Sequence, residues 1–253
     1  MIKTFRLNMK SKTPGDDNVI VSYKDKDLCI SYPFYGPSNP SGLLNAIESD
    51  NERLVGSASQ RRIKQATTEE AISLVHPTYG LSFSEKNENK LAHEITRILS
   101  EGYLTTAIGI LYHPDTKLAY FVPYPKFNHE SIVDTPDLIK RVESKEEIFK
   151  TVGFSEIEKK KLLFSDLRKH PYVVEWAGGI EYAGKLEDIA SRTPSKKADL
   201  YVPDVSELKQ PNGRISALNS NMYYHRSLEI SGNSDGYDIH GWVGYAFGVV
   251  QNF

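Results

Sequence analysis

The sequence holds one cysteine, Cys29, in 253 residues. An internal disulfide is therefore impossible, and stability has to come from packing. It has no apolar run of the roughly 18 residues a membrane helix needs, so no membrane span is expected. The first residues, MIKTFRLNMKSKTPGDD, contain no apolar signal core, so no secretory leader is expected. An excess of one charge is also missing. The formal net charge is −2 at pH 7, which gives no basis for broad attraction to nucleic acid or to an anionic membrane. Motifs for chemistry are absent as well. HEITR at His93 has no second histidine to make HExxH, and Gly178-Gly179 is not surrounded by a GxxxxGK phosphate loop. The last absence is local. The chain has 21 lysines, and none lies beyond Lys209, where an even spread would put about four in the final 44 residues.

What is present reads as mixed helices and short strands. DNVIVSYKDKDLCISYPFYG alternates and is aromatic, which predicts strands, followed by a Pro/Gly loop in YGPSNPSG. The first 60 residues read as strands and turns only. Thr67 to Glu70 is a capping box that opens a helix ended by Pro77. A second helix is expected from Ser84, with Leu91, Ile95, Ile98 and Leu99 on one face and Gly102 as its stop. TAIGILYHPDTKLAYFVPYP reads as a hairpin about a His113-Pro-Asp turn. Thr135-Pro136 predicts a helix to about Val142. A further capping box, Ser155 to Glu158, predicts a helix to about Lys169 with Ile157, Leu162 and Leu163 inward, and His170-Pro171 reads as its end. EYAGKLEDIASR predicts a helix burying Leu186, Ile189 and Ala190. Strands return in LYVPDV, GRISAL, SLEIS and YAFGVV. This order is not a regular βαβ alternation, and it predicts an α+β fold with a mainly antiparallel sheet and short helices. The whole chain, 1–253, is expected to form one domain.

The lysine-free region has a distinctive alphabet. Of the 27 residues from Asn219 to Tyr245, 20 are Asn, Ser, Asp, Tyr, His, Gly or Arg. A solvated tail normally keeps Lys and Glu, which cost little to expose. Tyrosine with short polar residues is instead the composition of adaptable binding surfaces. The chain holds 15 tyrosines in all, and tyrosine also fills sheet interiors. A glycine-rich connection between two edge strands would share part of this alphabet. Within the window, SLEISG alternates, so Leu228, Ile230 and Gly232 point inward as scaffold.

The C-terminal part, about Arg214 to Val250 and ending Tyr245-Ala-Phe-Gly-Val-Val250, resembles the variable proteins of diversity-generating retroelements, most closely those of archaea and archaeal viruses. The resemblance implies a C-type lectin-like fold of the formylglycine-generating-enzyme subtype. In such systems a reverse transcriptase miscopies template adenines, and AAY codons become NNY. Those codons encode 24 of the 27 window residues; Met222, Glu229 and Trp242 are the exceptions. The GGSW-type phrase of the enzyme-like subfamily is absent, and GRISAL stands in its place.

The resemblance implies a ligand-binding protein that displays a diversified site at about 214–250. The display positions would be Asn219, Asn221, Tyr223, Tyr224, His225, Arg226, Asn233, Ser234, Asp235, Tyr237, Asp238, Ile239, His240, Trp242 and Tyr245. Tyr, Trp and Arg would anchor affinity. The partner would be a protein or cell-surface ligand, with no nucleic acid, and the protein would work inside the cell or on a virion. Its oligomeric state is left open. An enzyme of the formylglycine-generating class and an invariant virion or assembly module are the alternatives. For the first, Cys29 in DLCISYP reads as a packed thiol, and no catalytic residue is expected. Asn233-Ser-Asp-Gly-Tyr-Asp238 superficially resembles a calcium loop but lacks the later bidentate Glu, and no cofactor or metal is expected. The run Lys159 to Lys161 reads as a solvated helix face.

Overall fold

A computed structural model describes residues 6–8, 17–23, 26–55, 62–79, 88–127, 133–157, 161–221, 227–234 and 244–251. The N-terminal part forms β1 (Arg6–Asn8), β2 (Asp17–Tyr23), β3 (Lys26–Tyr32), β4 (Tyr35–Ser38), α1 (Pro40–Val55) and β5 (Arg62–Gln65). The middle holds α2 (Thr68–Thr78), α3 (Glu88–Glu101), β6 (Tyr103–His113), β7 (Leu118–Pro123), α4 (Thr135–Ser144), β8 (Lys150–Gly153) and β9 (Lys161–Leu163). Then come α5 (Pro171–Ala177), α6 (Ile180–Ser191), β10 (Lys197–Tyr201), β11 (Asn212–Asn221), β12 (Ser227–Ser234), β13 (Gly244–Ala246) and β14 (Gly248–Gln251).

The strands make two sheets. The smaller has the order β1-β2-β3-β14-β5, so β14 from the far end of the chain sits between two N-terminal strands. The larger runs β4-β13-β6-β11-β12-β10-β9, with β7 on β6 and β8 on β7. All pairings are antiparallel except β10 with β12 and β13 with β6. The class is α+β with mainly antiparallel sheets, as the sequence predicts.

Local chemistry explains several elements. The Thr67 hydroxyl accepts from the Glu70 amide at 3.4 Å, and the Glu70 carboxylate accepts from the Thr67 amide at 2.8 Å, which satisfies donors at the start of α2. In α3, Leu91, Ile95, Ile98 and Leu99 are all buried, at the spacing of one helix face. Those residues, with Leu186 and Ile189 of α6 and Tyr172 and Trp176 of α5, pack onto one face of the larger sheet. Its opposite face is covered under α4 by Leu111, Val122, Leu138 and Ile215. A third cluster places α1 against the smaller sheet through Leu43, Ile47, Ile63 and Val250. Among the described residues no helix is long and apolar enough to cross a membrane.

Four local expectations change. The N-terminal region contains α1, a helix the sequence reading does not anticipate. Asn39 accepts from the Gly42 amide at 2.8 Å, and Pro40 begins the helix, where its missing N–H costs nothing. The expected helix over 155–169 is instead β9 between two 3-10 turns, Phe154–Glu156 and Phe164–Lys169. Pairing of Leu162 with Ala198 imposes period two, so Leu162 is buried and Leu163 is 54% exposed. Pro171 opens α5 rather than ending a helix, and Gly178 ends it with φ +94°. The cap of α4 is Asp134, one residue before the expected Thr135, and its carboxylate accepts from the Asp137 amide at 3.1 Å.

Candidate functional site

Four strands frame the lysine-free window. β11 and β12 are adjacent, with Asn221 opposite Ser227, so segment 222–226 joins neighbouring antiparallel strands. β6 lies on the other side of β11, with Leu104 opposite Leu218. β13 runs parallel to β6, with Gly244 opposite Tyr103. The start of β6, the end of β11, the start of β12 and the start of β13 therefore meet at one end of the larger sheet. Ser234, at the end of β12, stands opposite Ile215, toward the other end. The chain therefore leaves β12 level with Ile215 and enters β13 level with Tyr103.

The frame is held from the core side. Leu218, Leu228 and Ile230 are buried in the main cluster, as the alternation of SLEISG predicts. Tyr79 donates to Ser220 Oγ at 3.0 Å. Trp176 Nε1 donates to the Ser231 carbonyl at 3.3 Å. Tyr112 donates to the Gly232 carbonyl at 2.8 Å, and the Tyr112 and Tyr172 hydroxyls lie 2.8 Å apart. Burial pushes both phenols up from the ordinary tyrosine range, so both stay protonated as donors. A side chain at Gly232 would run into Tyr172 and would lie 2.7 Å from the Tyr112 hydroxyl. These contacts fix the backbone that carries the window.

The other face of these strands is polar and closed. Across the sheet, Asn219 of β11 stands opposite Glu229 of β12, and Glu229 stands opposite Asp199 of β10. Their exposures are 2%, 2% and 6%. Ser227 and Ser231, two residues either side of Glu229, are buried with them. Ser227 donates to Asp199 Oδ2, and Asn219 Nδ2 donates to the Gly102 carbonyl at 2.8 Å. Among the described residues, Asn219 Oδ1 and Asp199 Oδ1 are buried without a hydrogen-bond partner. An unpaired buried acceptor is costly to stability. Tyr201 stands at its margin; partial burial raises its phenol, and the negative charges of Glu229 and Asp199 add to the effect.

This geometry revises two display residues. Asn219 is inside, bonded to the loop after α3. Tyr245 is only 5% exposed; Arg97 donates to its hydroxyl at 3.1 Å, and Thr105 donates to its carbonyl at 3.1 Å. Both belong to the support, because β6 and α3 close over them. Asn221, Asn233 and Ser234 fall on strand ends. Tyr223, Tyr224, His225, Arg226, Asp235, Tyr237, Asp238, Ile239, His240 and Trp242 lie outside the described residues. The sequence reading misses Asp199 and the supporting roles of Ser227, Glu229 and Ser231. The polar alternate positions of SLEIS carry that signal for β12. Nothing local marks Asp199, which joins the row through parallel pairing across 30 residues.

The remaining candidates lie elsewhere. Cys29 is buried on β3 among Leu43, Ile47 and Ile63, between the smaller sheet and α1. His76 lies 3.1 Å from Asp188 on the helical side, and its imidazole is pushed below the ordinary histidine range, chiefly by burial. Among the described residues no group of three His, Cys, Asp or Glu side chains is arranged to hold a metal ion.

No protein-family model and no curated protein sequence matches the chain. A solved structure from Nanoarchaeota, described as a C-type lectin fold that accommodates massive sequence variation, is similar at a TM-score of 0.49 and 12% identity, over 85% of this chain and 95% of that one.

Proposed function

We propose that this chain is a single C-type lectin-like domain that binds a protein or cell-surface ligand through diversified C-terminal segments, as the target of a diversity-generating retroelement. The observation that carries the reading is the division within the window. Its apolar alternate residues, Leu228 and Ile230, are locked in the core, while Tyr223, Tyr224, Tyr237, Asp235, Asp238, His225 and His240 fall in 222–226 and 235–243 between anchored strands. A frame held by buried leucine, isoleucine and backbone hydrogen bonds tolerates changes at positions that contribute little to it. The lysine-free, NNY-compatible alphabet fits a site varied by codon and then selected for affinity.

On this reading the display residues are Tyr223, Tyr224, His225, Arg226, Asp235, Tyr237, Asp238, Ile239, His240 and Trp242, with Asn221, Asn233 and Ser234 at the strand ends. Tyrosine and tryptophan supply rigid contact area, and the short polar residues supply adaptable hydrogen bonds. The mechanism is affinity without bond making.

The test replaces Tyr223, Tyr224, Tyr237 and Trp242 together by Ala. Display residues are worth little to folding, so the melting temperature should fall by no more than about 4 °C, the equivalent of about 1–2 kcal/mol in a domain of this size. A fall of about 10 °C or more would show that these side chains are core and would overturn the proposal. At the genetic level, a near-identical repeat differing at adenines beside a reverse-transcriptase gene is expected. An invariant window among otherwise identical copies refutes diversification.

A further inference from the structure

A second feature lies on the helix-covered side of the larger sheet. A cleft of about 370 Å³ opens between the start of α2, the end of α5 and the residues leading into β8. Its apolar wall is Ile108, Phe121, Phe149 and Trp176. The lining also carries Lys64 and Lys150 against four carboxylates, Glu69, Glu70, Glu147 and Glu175. Arg141, just outside, pairs with Glu147 at 3.1 Å. Counting it, three cations serve four carboxylates, and the lining stays negative.

The pairs are not equally tight. Lys64 lies 3.2 Å from Glu70 and 2.7 Å from the Tyr124 hydroxyl, a fixed arrangement. Lys150 instead hangs between Glu69 at 4.0 Å and Glu175 at 3.8 Å, and its side chain is about half exposed. Loose, half-solvated ion pairs contribute little and exchange readily. Lys150 thus occupies a cation position that another ammonium group can take.

The rim adds an independent observation. Ile148 is fully exposed at the cleft, and Tyr124 is exposed beside Lys64. These are two of the five large apolar side chains exposed among the described residues. Exposed apolar residues gathered round a concave site mark a protein contact rather than ordinary surface.

We propose that this cleft is a fixed docking site for a protein segment presenting a lysine side chain between apolar neighbours. The ammonium group displaces Lys150 from Glu175, the methylene stem lies on Ile108 and Phe149, and the flanking residues cover Ile148 and Tyr124. The cleft faces away from the outer sheet surface and is built from residues outside the lysine-free window. An invariant partner can therefore hold the protein here while the diversified end stays free. The cleft does not depend on the display reading, and either proposal can fail alone.

The test titrates the full chain by calorimetry with two peptides, acetyl-Ala-Leu-Lys-Leu-Ala-amide and the same peptide with norleucine for lysine. Norleucine keeps the stem and removes the charge. The lysine peptide should bind at least tenfold more tightly at low salt. Glu175→Gln should reduce that preference to under threefold without lowering the melting temperature. Lys150→Gln, which removes the internal competitor, should strengthen binding of the lysine peptide. Equal binding of the two peptides, binding of neither at millimolar concentration, or weaker binding by Lys150→Gln would each overturn the proposal.

Discussion

Gly232 offers the sharpest test of how the window is divided. Its residue type belongs to the diversified alphabet, yet its position faces the core, two residues beyond Ile230. Strand propensity alone predicts that Gly232→Ala stabilises the protein by about 0.5–1 kcal/mol, because glycine loses more freedom on folding. Packing predicts the opposite sign. The added methyl would collide with the Tyr172 hydroxyl and lie 2.7 Å from the Tyr112 hydroxyl and 2.9 Å from Ile110 Cδ1, where ordinary contact begins near 3.4 Å. Both tyrosines are wholly buried, so the hydroxyls cannot swing into water. Moving Tyr172 breaks its 2.8 Å bond to Tyr112 and disturbs the bond from Tyr112 to the Gly232 carbonyl. A buried hydroxyl left without a partner costs about 1–3 kcal/mol, and overpacking a core costs about 1–3 kcal/mol more. After the propensity gain, a net loss of about 1–5 kcal/mol is expected, or about 2–20 °C in melting temperature at about 2–4 °C per kcal/mol. Thermal denaturation followed by circular dichroism measures it. Tyr172→Phe in the Gly232→Ala background removes the hydroxyl that the methyl meets, so the double variant should be more stable than the sum of the single effects by at least about 1 kcal/mol. A Gly232→Ala protein that melts within 2 °C of the parent, or above it, would refute this account of the frame.

Two further predictions address the helical side. Leu162→Ala should destabilise by about 2–4 kcal/mol, while Leu163→Ala should stay within about 0.5 kcal/mol, since pairing to β10 buries only the first. Similar losses from both would favour a helix over 155–169. His76 is pushed down by burial, so the unfolded chain binds more protons than the folded one as pH falls through the ordinary histidine range. Its contribution is therefore least unfavourable above that range, and stability should rise from pH 5.5 to 7.5. His76→Gln should flatten the rise in urea midpoint, and an unchanged slope would count against the assignment.

Much of the scaffold is legible in the sequence where one short stretch carries the physics. The α2 capping box is a reciprocal pair of hydrogen bonds between residues three apart, and the α3 face is a 3.6-residue period. The hairpin of β6 and β7 needs only two apolar runs and a Pro-containing turn. Legibility fails where a local signal is outvoted. Ser155 to Lys169 has a helical pattern, but pairing with β10 recruits Lys161 to Leu163 as a strand. α1 is hidden because ESDNER is polar on most of its surface, and Leu43 and Ile47, with the partly buried Leu54, reach the buried cluster.

The sequence by itself determines the α+β class, the inward Leu228 and Ile230, and a C-terminal window whose missing lysines set it apart. Each follows from side-chain period or composition within a few residues. Only the tertiary structure decides which polar residues of that window are inside. Asn219, Glu229 and Tyr245 carry polar groups like the rest of the window in sequence, but Gly102, Asp199 and Arg97 meet them from far along the chain. Burial is a property of what packs against a residue, and those partners are brought together by sheet pairing.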